Sequence, residues 1–198
     1  MFSWLRRQWF RLYATLCKLF GSLDFFWAPM FLVYTKTFFK LDGKDFDQIS
    51  KAIKKNDVLI RRIDRNIGSK FIPGFYKHAA VALNSVDVNT DIIHAVEAGV
   101  VPTTLFDFMQ ADSIAIFRPK FPISGLEDRV QKALGKSYDY TFNEDNTNRF
   151  FCTELVAYLL LGENVVVART TTLAGSKVMV PDAFFDDSRF ELILEIRK

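Results

Sequence analysis

Phe150-Phe151-Cys152-Thr153-Glu154-Leu155-Val156-Ala157-Tyr158-Leu159-Leu160-Leu161 is the stretch on which the reading of this 198-residue chain turns. Phe151, Leu155, Val156, Leu159 and Leu160 recur at helical spacing, and Gly162 is a natural stop. Cys152 then falls in the first turn of a buried helix. The N–H groups of a first turn have no intrahelical acceptor, and the helix dipole favours an anion there. Both effects favour thiolate, the nucleophilic form of cysteine. A free cysteine is equally a small buried hydrophobe, so the helix by itself leaves both readings open. Glu154 reads as a cap or a favourable partner of the helix dipole.

Upstream of that helix the chain is rich in strand signals. Val58-Leu59-Ile60-Arg61-Arg62 is a run of branched residues, and Tyr76 to Leu83 and Asp91 to Glu97 are further strands. Val100 to Pro102 and Ser113 to Arg118 follow, around a short helix from Thr103 to Met109. Asp45 to Lys54 and Gly125 to Leu134 read as helices, and Lys177 to Val180 and Phe190 to Ile196 as strands. Tyr138 to Arg149 is a polar loop that delivers the chain to Cys152. Strands in a run with helices before and after predict an α+β domain with a small antiparallel sheet over residues 41–198.

Composition bounds what this domain does. The net charge is only +3, so the chain as a whole is no nucleic-acid binder by charge. Two cysteines, Cys17 and Cys152, are not a disulfide framework, and they point to reduced thiols facing a reducing compartment. His78 and His94 are the only histidines, and no metal-ligand spacing or Gly-rich phosphate loop is present. No metal and no cofactor is therefore expected.

The charge is unevenly placed. Residues 1–40 carry Arg6, Arg7, Arg11, Lys18, Lys36 and Lys40 against Asp24, a balance of +5 that leaves −2 on the remainder. Residues 2–20 read as a helix with Trp4, Leu5, Trp9, Leu12, Tyr13, Leu16 and Leu19 around much of its circumference. It is too charged to span a bilayer. It fits an interfacial helix, with aromatic belt residues and arginines toward lipid phosphates. Residues 25–39 form a second apolar aromatic block, broken by Pro29 and Lys36. Residues 1–40 are thus expected to be an aromatic, basic helical arm. It either lies on a membrane surface, at a cytoplasmic face, or is covered by the body or a second copy of the chain in a homo-oligomer.

Thiol hydrolysis needs a thiolate, an imidazole to pair with it and a polar group to orient the imidazole. His78, Glu97 and Cys152 are the candidates. His78 and Glu97 are expected on neighbouring strands that face the same helix end. His94 stands three residues from Glu97, on the other side of its strand, and is read as structural. Tyr138 is a candidate to place a hydroxyl near the oxyanion beside the Cys152 N–H, or a packing aromatic. A scaffold without catalysis is the competing class of reading.

Four segments carry a resemblance to a known family. They are His78-Ala79-Ala80-Val81, Val96-Glu97-Ala98-Gly99-Val100, Gly135-Lys136-Ser137-Tyr138-Asp139-Tyr140-Thr141-Phe142 and Phe151-Cys152-Thr153-Glu154-Leu155-Val156. In this order, histidine first and cysteine last, the chain resembles the circularly permuted NlpC/P60 superfamily, and more narrowly its YiiX/YebB-like group. Asn56-Asp57-Val58-Leu59 matches the opening that precedes the histidine strand there. The resemblance covers roughly residues 55–196 and leaves residues 1–40 outside. It implies a papain-like fold and a cysteine hydrolase of amide or ester bonds, with Cys152 and His78 as its reacting residues and Glu97 as the third. The resemblance implies a cell-wall peptide amide as substrate, whereas the membrane-facing arm and the reduced cysteines point to a lipid or acyl group. The Asn-Cys-Glu-His-Phe sequence of lecithin retinol acyltransferase relatives is absent, although they share the permuted order. A lipid acyltransferase or thioesterase of the same fold is the alternative.

Overall fold

Burial along the strands assigns their buried apolar side chains to two cores. In the computed structural model, which describes residues 24–26, 31–33, 39–64, 72–84, 91–140, 148–162, 170–173 and 176–198, a six-stranded antiparallel sheet separates those cores. Its strands are β3 (Val58–Arg62), β4 (His78–Ala82), β5 (Asp91–Val96), β6 (Gly99–Thr104), β7 (Ser113–Pro119) and β12 (Phe190–Arg197), in the order β12-β7-β3-β4-β5-β6. β3 and β4 sit in the middle and are buried on both faces, which is why they read as continuous apolar runs and not as alternation.

Successive residues of a strand point to opposite faces. Val58, Ile60, Ala79, Val81, Ile93, Ala95, Ala115 and Phe117 form one core with Leu155, Val156 and Leu159 of helix α4 (Cys152–Leu161). Helix α3 (Leu126–Ala133) adds Leu126, Val130 and Ala133 to it, and a 3-10 turn (Pro181–Phe185) adds Ala183 and Phe184. Leu59, Ala80, Ala82, Ile92, Ile114 and Ile116 form the other core with helix α1 (Gly43–Ala52) and the one-turn helix α2 (Leu105–Phe108). Each fully buried Leu, Ile or Val in these layers contributes about 1.5–3 kcal/mol of transfer free energy.

The α+β architecture with its antiparallel sheet is the one expected from sequence, and element edges differ by only a few residues. Smaller pieces went unread. β8 (Ser137–Tyr138) and β9 (Arg149–Phe150) pair in parallel at the ends of what was expected to be loop, and β10 (Thr170–Leu173) was not foreseen as the partner of β11 (Ser176–Met179), the strand expected at Lys177 to Val180. Within residues 1–40, β1 (Asp24–Phe26) and β2 (Phe31–Val33) pair antiparallel. These two short strands fall within residues 1–40, which were expected to be a helical arm; the aromatic and branched residues Phe25, Phe26, Phe31 and Val33 favour strand there. The helix expected over residues 2–20, and Cys17 with it, lies outside the described residues.

Candidate functional site

Helix α4 begins at Cys152. Its N-cap, Phe151, has extended backbone, and the Glu154 carboxylate accepts the Phe151 N–H at 3.1 Å. Thr153 donates its hydroxyl to the Met179 carbonyl at 2.7 Å, in a buried bond that fixes the first turn. Cys152 is buried and unpaired. The N–H groups of Ala79, Thr153 and Cys152 itself face its sulfur. Burial dominates all the same and pushes the thiol up to about 11, against the pull of those three donors and of the Arg61 charge. The direction is opposite to the one expected from the helix N-terminus, because desolvation of a buried anion outweighs the local dipoles.

Why the Ala79 N–H is available follows from strand register. Ala82 donates to the Asp57 carbonyl on the β3 side. N–H groups alternate along an antiparallel strand, so those of Ala79 and Val81 turn toward β5. The β4–β5 pairing runs Ala82–Ile92, Val81–Ile93 and Ala80–His94, and stops there. Ala79 would meet Ala95 next. Its N–H serves the thiol instead, at the place where the two strands part.

The histidines stand at this same end. His78 opens β4, and His94 is the cross-strand partner of Ala80. Since residues 78 and 80 share a face, so do His78 and His94. Their rings meet edge to face with centroids 5.1 Å apart, and His78 Nε2 lies 3.0 Å from His94 Nδ1. Both rings pack near Phe108 of α2, with centroids at 5.8 and 5.9 Å. Alternation puts this pair on the α2 face, whereas α4 approaches from the other. The thiol and the imidazoles thus come to the parting of β4 and β5 from opposite faces of the sheet.

Glu97 is not where it was expected. β5 ends at Val96, and Glu97 and Ala98 form the tight turn into β6, with Glu97 exposed. Gly99 takes φ +103, and a Cβ there would stand 2.5 Å from the Lys136 carbonyl oxygen, so this point of the reversal calls for glycine. This corrects the expected placement of Glu97, which faces solvent, while His94 stands within 3.0 Å of His78 Nε2. The sequence signal for His94 was its spacing from the strand's end, but the face it shares with His78 depends on a register across the 85–90 connection that spacing does not reveal. Tyr138 is half-buried on β8, where it pairs with Phe150, two residues before Cys152, and its ring lies edge-on to Tyr140 at 4.8 Å.

Arg61 is a second residue that sequence reasoning passed over. It is the cross-strand partner of His78. Its guanidinium lies over the Phe108 ring at 4.4 Å and donates to the Phe108 carbonyl at 2.8 Å. Burial draws its pKa down to about 10. Among the described residues, no group of three or more His, Cys, Asp and Glu side chains is arranged to hold a metal ion.

A family profile described as permuted papain-like amidase enzyme, YaeF/YiiX, C92 family, matches residues 52–194. Among solved structures, the chain is similar to the crystal structure of metalloprotein yiiX from Escherichia coli O157:H7. The TM-score is 0.58 at 18% identity, over 74% of this chain and 99% of that one. No curated protein sequence matches.

Proposed function

The chain belongs to the permuted papain-like amidases, and from that premise we propose that it is a cysteine amidase acting through Cys152, His78 and His94. One observation carries the reading: the Cys152 sulfur faces the peptide N–H of Ala79, the neighbour of His78, whose Nε2 is 3.0 Å from His94 Nδ1.

With Nε2 engaged by His94, the His78 nitrogen that exchanges a proton with the thiol is Nδ1. Cys152 transfers its proton to His78 as sulfur attacks the substrate carbonyl. The imidazolium then donates Nε2–H to His94 Nδ1, which requires His94 to carry its own proton on Nε2. His78 returns the proton to the leaving amine, and water repeats the sequence on the thioester. The Cys152 and Thr153 N–H groups, which face sulfur at rest, are the donors available to the developing oxyanion. Because burial holds the resting thiol neutral, thiolate arises by transfer to His78 during attack and not as a standing ion pair. An ester substrate, or an acyl acceptor other than water, would use the same steps.

The test is hydrolysis of a panel of N-acyl amides by the full chain, with products identified by mass. Cys152→Ala and His78→Ala are expected to abolish turnover. His94→Ala is expected to lower kcat by roughly 10²-fold, the scale of a group that orients a general base, while Glu97→Gln leaves it unchanged. Loss with Glu97→Gln and retention with His94→Ala would reverse the assignment of the third residue.

The proposal extends to residues 1–40, which would bring this site to an anionic membrane surface, or to a second copy, by the arginines and aromatics of the arm. Among the described residues no helix is long and apolar enough to cross a membrane.

A further inference from the structure

A buried charge stands beside the histidines with no carboxylate partner among the described residues. Arg61 is buried, and among the described residues no carboxylate pairs with it. Its contacts are two carbonyls at the end of α2, Phe108 at 2.8 Å and Asp107 at 3.4 Å, and its Nε has no hydrogen-bond partner. The Asp107 carboxylate is turned away, accepting from Thr104 Oγ1 at 2.7 Å. A lone buried cation costs several kcal/mol of desolvation, and an apolar residue at this position of a central strand would avoid that cost. Arg61 stands out among its face neighbours, Leu59, Ala80, Ile92 and Ile114.

The groups that surround it are specific. On β4, His78 is its cross-strand partner, and on β7 that partner is Ile114. On β5, His94 shares the Phe108 ring with it. From α4, Cys152 lies within reach of its charge. The carbonyls and the ring hold the guanidinium in place, so its charge is fixed in direction as well as in sign.

We propose that Arg61 is a positioning residue for the cysteine chemistry, whose fixed charge keeps the His78–His94 couple neutral at rest and favours the thiolate at Cys152. The proposal rests on reading Cys152 and His78 as the reacting pair. A cation repels an imidazolium and attracts a thiolate. It therefore keeps His78 able to accept the thiol proton, and it stabilises the sulfur left behind. Arg61 touches neither substrate nor sulfur in this role.

The experiment is an NMR titration of the two imidazole rings in the full chain carrying Cys152→Ser, which removes the thiolate's own pull on the rings. The couple is expected to take its first proton below the ~6.5 of free histidine. Adding Arg61→Met should move that midpoint up by about one pH unit, and adding Arg61→Lys, which keeps the charge, should not. An unmoved midpoint in Arg61→Met overturns the proposal. So does a couple that titrates at or above ~6.5 with Arg61 in place, a result that needs no Arg61 variant to fold. Iodoacetamide alkylation of Cys152 against pH separates this from the premise. If His78→Ala leaves the alkylation profile unchanged, the Cys152–His78 pairing fails and the proposal with it. If His78→Ala alters the profile and Arg61→Met does not, the proposal alone fails.

Discussion

At the scale of single residues, the Cys152 thiol shows how far environment overrides position. A helix N-terminus and three N–H donors favour thiolate, yet burial raises the thiol from 9.0 to about 11. A group whose folded pKa lies above its unfolded value adds stability that is full below the unfolded value and lost as pH rises through the folded one. Wild type is thus expected to lose about 2–3 kcal/mol between pH 9 and 11 that Cys152→Ala does not lose, read by urea unfolding at each pH. Burial and Glu195 also raise the Tyr76 phenol, but Tyr76 is common to both proteins and cancels in the difference. Parallel pH curves for the two proteins would mean that the thiol is more solvated than its burial implies. Asp57 is the opposite kind of residue. It is fully buried, and it binds Arg118 through two bonds, of 2.9 and 2.7 Å, and the Lys54 N–H at 2.7 Å. Asp57→Ala strands the guanidinium and is expected to cost about 3 kcal/mol in the same unfolding measurement; a cost below ~1 kcal/mol would show that Arg118 finds solvent instead.

At the scale of elements, legibility tracked how local each determinant is. The period of Leu155, Val156, Leu159 and Leu160 marks α4, and Gly162 with φ +86 ends it. Branched runs mark β3, β4 and β7. The position of Cys152 at a helix start and of His78 on a strand followed from such local signals, and so did the capping role of Glu154. Register is different, because it is set by pairing between segments. His94 shares a face with His78 only because Ala80 pairs with His94, and Arg61 neighbours His78 only because β3 and β4 pair at that offset. β8 and β9 are two residues long and carry no period at all. The β5–β6 turn makes the point testable. Gly99 has φ +103, and a Cβ there would meet the Lys136 carbonyl oxygen at 2.5 Å. Gly99→Ala therefore combines backbone strain with a clash and is expected to cost more than ~1 kcal/mol. By contrast Gly43, whose added Cβ meets nothing within 4 Å and which is the first residue of α1 after the Asp42 cap, is expected to gain about 0.4–1 kcal/mol on substitution by alanine. Equal effects at the two sites would remove the argument that the reversal at Gly99 forces Glu97 out to solvent.

At the scale of the molecule, the sheet is a partition between two cores. Among the described residues, α3 and α4 cover one face and α1 and α2 the other, and Cys152 and His78 come to the parting of β4 and β5 from opposite faces. Such a partition protects a neutral thiol from solvent and leaves substrate delivery to whatever lies outside the domain. Residues 1–40 are the segment whose charge differs in sign from the rest, +5 against −2, and whose aromatics have the composition of a membrane-interface belt. Each basic residue near an anionic surface contributes about 1 kcal/mol, and that attraction is screened by salt. The full chain is therefore expected to float with vesicles containing phosphatidylserine and to be released by about 1 M salt, while Arg6→Glu, Arg7→Glu and Arg11→Glu together abolish flotation. Binding that ignores both salt and the three substitutions would mean that the aromatic surface alone makes the contact. No flotation at all, with a concentration-dependent mass in solution, would assign the arm to a second copy of the chain, and the site would then open toward a soluble substrate.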